Sequence, residues 1–142
     1  MKRKALMTPG PSPVPSTVRE ALSREIMHHR TEEFKTILTD THKDLKTVFS
    51  TNNPVMIMAS SGTGAMEAAV TNLFSKKDKV LVIQGGKFGE RWTELCQAYG
   101  AQANVIEVQW GKAVQPNQIK ALLDADKDIK AVFITLCETS TG

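Results

Sequence analysis

The sequence predicts an α/β fold around a mostly parallel sheet, preceded by an extended arm and two helices. From residue 54 onward, short apolar runs rich in β-branched residues alternate with segments of helical period, the pattern of repeated βα units. Gly, Asp or Pro punctuation bounds each segment. Of the 142 residues, 41% are hydrophobic and 23% charged, a balance that supports one ordinary globular domain.

Four prolines between Leu6 and Pro15 exclude a helix or a central strand, because their φ is fixed and their N–H is missing, so residues 1–15 read as an extended arm. A helix is predicted from Thr17 to about His28 and His29. Thr17-Val18-Arg19-Glu20 has capping-box spacing there, and Val18, Leu22 and Ile26 share a face. A second helix starts after Thr31, with Glu32 and Glu33 at the positive end of its dipole, and stops at Asn52-Asn53-Pro54. Residues 16–53 thus form a helical segment, and residues 54–142 the α/β region. Strands are predicted at 55–59, 80–84, 105–109 and 131–136, and helices at 65–74, 90–99 and 116–124. Met56 and Met58, on the first of these strands, read as core. The last strand ends in a short polar turn where a parallel sheet would continue into a covering helix, so the chain is expected to be an amino-terminal piece of something longer.

Composition narrows the function classes. The formal net charge is +3, and the basic residues are scattered without interleaved aromatics, apart from a solvated Lys2-Arg3-Lys4, which argues against nucleic acid as a partner. Cys96 and Cys137 are too few for a disulfide framework and lack metal-ligand spacing, as do His28, His29 and His42. No apolar run approaches the ~20 residues needed to span a bilayer, and no signal-peptide core is present. The expectation is a cytoplasmic protein with no metal and no membrane partner.

Ligands of open α/β sheets bind beyond the carboxyl ends of the strands, so chemistry is sought in three loops. Ser60-Ser61-Gly62-Thr63-Gly64 leads into a helix, where free N–H groups, the helix dipole and the Ser61 and Thr63 hydroxyls favour a phosphate. An ordinary capped turn has the same composition. A dinucleotide fingerprint begins here but fails at Glu67, where a third glycine belongs, and no Walker A loop is present. Gly85-Gly86-Lys87-Phe88-Gly89 offers an aromatic ring, suited to stacking on a planar group or to packing in the core. Thr139-Ser140-Thr141 adds hydroxyls. An anion cradle, an aromatic face and hydroxyls at one sheet edge fit a phosphorylated planar cofactor. Cys137, at a strand end with no base in view, reads as a small buried residue.

Five ordered segments, Thr8-Pro9-Gly10-Pro11, His29 to Phe34, Ser61 to Ala69, Gly86 to Arg91 and Glu138 to Gly142, resemble the class V, fold-type I pyridoxal-phosphate aminotransferases, particularly the alanine–glyoxylate and serine–pyruvate group. The resemblance implies that residues 54–142 are an incomplete cofactor-binding large domain. It implies that Ser61, Gly62 and Thr63 hold the phosphate of pyridoxal 5′-phosphate, Phe88 stacks on its ring, Thr139 bonds the ring hydroxyl region, and the Gly10 backbone approaches the substrate carboxylate. It also implies a homodimer that moves an amino group from alanine or serine to glyoxylate or pyruvate. The Schiff-base lysine would lie beyond residue 142, so this piece alone is expected to be inactive. Lys87, beside the stacking aromatic, is not that lysine. Two other readings stay open: a nucleotide- or dinucleotide-binding α/β module, and a non-catalytic assembly fragment acting only by docking with a partner.

Overall fold

The computed structural model describes residues 6–142, so the Lys2-Arg3-Lys4 terminus lies outside it. The chain divides into two compact units, Met1–Met58 and Ala59–Gly142.

In the first unit the proline-rich residues 6–15 carry neither helix nor strand. Helix α1 (Ser16–Leu22) is shorter than predicted, and the expected Thr17 cap is not formed: Pro15 is the N-cap and no side chain caps the helix. It stops because Ser23 closes it, its N–H donating to the Arg19 and Glu20 carbonyls and its hydroxyl to Glu20 O at 2.8 Å. Helix α2 (Glu32–Val48) follows its sequence signals. Thr31 Oγ1 accepts from the Phe34 N–H at 3.2 Å, and Glu32 and Glu33 occupy the first turn. Neither helix buries a residue; Leu22, Ile26, Val48 and Phe49 are all well exposed.

The strand expected at 55–59 does not form. Its apolar run satisfies the strand pattern, but a strand exists only against a partner, and no described strand pairs with this segment. Met56 and Met58 are accordingly exposed, not core.

The second unit contains α3 (Gly62–Leu73), β1 (Lys79–Gln84), α4 (Lys87–Ala98), β2 (Gln102–Glu107), α5 (Pro116–Ala125) and β3 (Ile129–Phe133). The strands form a parallel sheet in the order β2-β1-β3, with Lys79 opposite Gln102 and Gln84 opposite Glu107 on one side, and Val82 opposite Phe133 on the other. The centre of β1 is apolar on both faces because both are covered: Val80, Leu81, Val82 and Ile83 are buried. Val80 and Val82 join Val70, Cys96, Ala101 and Phe133 in the core, flanked by Phe74, Trp92 and Leu95. No helix among the described residues is long and apolar enough to cross a membrane.

Four boundaries in this unit differ from expectation by three residues. Strand β2 begins three residues early, as soon as the chain leaves the left-handed turn at Gly100 (φ 81°), and carries Gln102 and Asn104 outward, polar residues that hid it. Strand β3 ends at Phe133; Ile134 and Leu136 leave the ladder and are exposed. Helices α3 and α4 each begin three residues early, which moves Gly62, Thr63, Lys87 and Phe88 from loops into first helical turns.

Cys96 is fully buried and Cys137 exposed, the latter correcting the expectation of a small buried residue. Burial pushes the Cys96 thiol up, away from the reactive thiolate. Alkylation with iodoacetamide under native conditions should leave Cys96 unmodified, and denaturation should expose it, as read from peptide masses; rapid native labelling would contradict the core assignment.

Candidate active site

The start of α3 is an open cradle. Ser61 is its N-cap, yet the serine side chain makes no capping bond, and the Gly62 and Thr63 N–H groups have no acceptor among the described residues. A helix N-terminus in this condition offers backbone donors and the positive end of the dipole to an anion. A Cβ on Gly62 would meet nothing within 4 Å, whereas one on Gly64 would lie 1.9 Å from the Ser60 hydroxyl, so the small residues leave space at Gly62 and hold the preceding turn close at Gly64.

Thr63 connects this cradle to the ring on α4. Arg91 Nη1 donates to Thr63 Oγ1 at 2.8 Å, and the same guanidinium sits 5.5 Å from the centre of the Phe88 ring. Arg91 follows Phe88 by three residues, which places both on one face of α4. Phe88 is only partly covered, so its ring keeps a face for another planar group. The Thr63 hydroxyl, having accepted from Arg91, still has its own proton to donate.

Ser61, Gly62, Thr63 and Phe88 are thus brought together, with Arg91 as the link that sequence reasoning missed. Its signal was present in the i, i+3 spacing from Phe88, but its partner lies 28 residues away. Thr139 is exposed and makes no hydrogen bond among the described residues. Gly10 belongs to the other unit. Lys87 Nζ pairs with Glu90 at 2.5 Å and lies 5.7 Å from the Trp110 ring centre, which occupies it away from the cradle.

Glu67, which stands where a dinucleotide site has its third glycine, accepts a hydrogen bond from the Tyr99 hydroxyl and holds that phenol above its ordinary pKa. The close helix-to-strand approach is made elsewhere: a Cβ on Gly89 would lie 2.9 Å from both Gln84 Cα and the Ile83 carbonyl. A cavity of about 430 Å³ opens beside Glu138 and is lined by Ile83, Gly85, Val108, Lys112 and Thr135; none of the cradle residues borders it. The cradle is the better candidate because its free backbone donors match a phosphate, whereas the cavity mixes apolar side chains with Lys112, Thr135, Glu138 and Thr141 and, among the described residues, has no helix start opening into it with free N–H groups.

Pyridoxal phosphate, tested against this donor set, fits: backbone N–H groups and hydroxyls for its phosphate, and a half-open aromatic face for its ring. The chain belongs to the class-V aminotransferase family, which matches it over residues 6–142. It is 46% identical over its full length to a protein named soluble hydrogenase, small subunit, from Synechococcus sp., of which it covers 38%, and 36% identical over 99% of its length to the serine–glyoxylate aminotransferase of Methylorubrum extorquens, of which it also covers 36%. Among solved structures, the aspartate aminotransferase of Thermus thermophilus superposes with a TM-score of 0.86 at 34% identity, over 98% of this chain and 38% of that one. The chain therefore spans a little over a third of the length of the relatives it matches, and its α/β fold is that of part of an aminotransferase.

Proposed function

We propose that this chain is the amino-terminal part of a pyridoxal-phosphate-dependent aminotransferase that moves an amino group from a small amino acid, alanine or serine, to a 2-oxo acid, glyoxylate or pyruvate. The observation that carries the reading is the uncapped start of α3 joined through Arg91 to the exposed Phe88 ring. When bound, the cofactor supplies the electron sink for amino-group transfer.

The chain's own residues would fix the cofactor in place. Ser61 and Thr63 donate hydroxyl hydrogen bonds and Gly62 and Thr63 donate N–H groups to the phosphate. Phe88 excludes water from one face of the ring, Thr139 serves its hydroxyl edge, and Gly10 lets the backbone approach the substrate carboxylate. The uncovered apolar side chains of α1 and α2 support a homodimer, in which a second subunit would bury them. Two unpaired cysteines support a cytoplasmic setting.

The test is to purify the native protein from its source, weigh it intact and titrate it with pyridoxal phosphate. A species longer than 142 residues that binds the cofactor and converts glyoxylate to glycine with alanine or serine as donor is the expected result. Ser61→Ala and Thr63→Val should each raise the cofactor dissociation constant about tenfold, the effect of one hydrogen bond to a charged group. A native protein that neither binds pyridoxal phosphate nor transfers an amino group overturns the reading.

A further inference from the structure

We propose that Glu138 is a positioning residue: its carboxylate ties the segment leaving β3 to the first turn of α4 and thereby sets the orientation of the Phe88 ring at the cofactor site. The proposal rests on the aminotransferase reading of that site.

The geometry is specific. Glu138 Oε2 accepts from the Phe88 N–H and from the Gly89 N–H, each at 3.1 Å. Its Oε1 accepts from the Ser140 hydroxyl at 2.7 Å, and the Ser140 oxygen in turn accepts from the Lys87 N–H at 3.1 Å. The Glu90 N–H bonds the Gly86 carbonyl at 2.9 Å. The first four N–H groups of α4, which no residue within the helix can satisfy, are therefore all taken, three of them by residues about fifty positions further along.

Gly86 makes the approach possible. A Cβ there would lie 2.4 Å from Glu138 Cγ and 2.5 Å from both Glu138 Cδ and Ser140 Oγ. Burial acts to raise the Glu138 pKa, but the hydrogen bonds from Ser140, Gly89 and Phe88 outweigh it and hold the group below its ordinary value, so it is ionised at neutral pH. A carboxylate at a helix N-terminus is also favoured by the dipole. The two helix starts thus differ in kind: α3 is left open, whereas α4 is closed by the protein's own anion. An external phosphate is directed to the first, and Phe88 is held by the second.

The experiment uses the full-length native protein and its Glu138→Ala, Glu138→Gln, Phe88→Ala and Glu138→Ala/Phe88→Ala variants, with Gln118→Ala as a control. Gln118 caps α5 by accepting from the Gln115 N–H at 3.2 Å, so its loss should lower thermal stability without touching the site. Three quantities are read: hydrogen exchange of residues 86–90 without cofactor, the pyridoxal-phosphate dissociation constant, and the visible circular dichroism of the bound cofactor. Glu138→Ala should speed exchange in the first turn of α4, raise the dissociation constant about tenfold, and alter the dichroism.

Glu138→Gln, which keeps an acceptor oxygen, should recover most of the binding, and the double variant should bind no worse than Phe88→Ala alone, because Glu138 acts through that ring. Unchanged exchange or affinity in Glu138→Ala, or losses that multiply in the double variant, would overturn the proposal while leaving the aminotransferase reading intact. A wild-type protein that binds no pyridoxal phosphate overturns both.

Discussion

Replacing Phe133 with alanine is expected to lower the unfolding free energy by about 3–5 kcal/mol, the range for deleting a buried aromatic side chain. Phe133 ends β3 and is only 9% exposed. Its ring stacks on Trp92 of α4 at 4.5 Å between centres and meets Phe74, just beyond α3, edge-on at 5.5 Å. One side chain therefore joins the sheet to α4 and to the chain leaving α3. Both rings facing it are packed in the same core, so a void is left between them and its cost adds to the lost burial. Urea unfolding should show a lower midpoint at unchanged slope. A loss below about 1 kcal/mol would mean that the cluster collapses around the hole, contrary to the packing described.

Gly89→Val is expected to cost about 3 kcal/mol, near the upper end for overpacking. The cost does not come from backbone freedom, because Gly89 lies inside α4, where any residue can adopt the helical conformation. It comes from what a side chain would strike. The nearest atoms, Gln84 Cα and the Ile83 carbonyl, belong to the backbone of the central strand and cannot rotate away as a side chain can. Helix α4 would have to lift off β1, carrying the Phe88 and Gly89 N–H groups from Glu138 and the Arg91 guanidinium from Thr63. Thermal unfolding and cofactor affinity should therefore fall together. A variant that loses stability but binds pyridoxal phosphate normally would show that the first turn of α4 is free to adjust.

Local signals were legible in the sequence, and partners were not. Helix α2 could be read from Thr31, Glu32 and Glu33, because a cap and a dipole act within one turn. Strand β1 could be read from its unbroken apolar run, since a strand covered on both faces needs no alternation. The same rule misled at 55–59, where apolar residues stand without a described neighbouring strand. The glycines of 85–89 disguised the start of α4, because Gly89 serves close packing and Gly86 admits Glu138, neither of which is a turn function.

The candidate site divides in the same way. The Ser61, Gly62 and Thr63 cradle is a local arrangement of donors, visible in composition. Arg91 on Thr63 and Glu138 on Phe88 are tertiary pairings whose members stand 28 and 50 residues apart, and no periodicity marks such a pair.

The order of strands across the sheet also sets an order in time. Strand β1, helix α4 and strand β2 are consecutive in the chain, so this βαβ unit can close its ladder as soon as Glu107 has been synthesised. The other edge of β1 must wait for Ile129 to Phe133, and Glu138 follows later still. Until then Phe74 and Trp92 lack the ring that joins them, and α4 has a bare N-terminus. The βαβ unit that carries Phe88 is thus complete in the chain before Glu138 is, and the contact proposed to aim that ring is the last to become available.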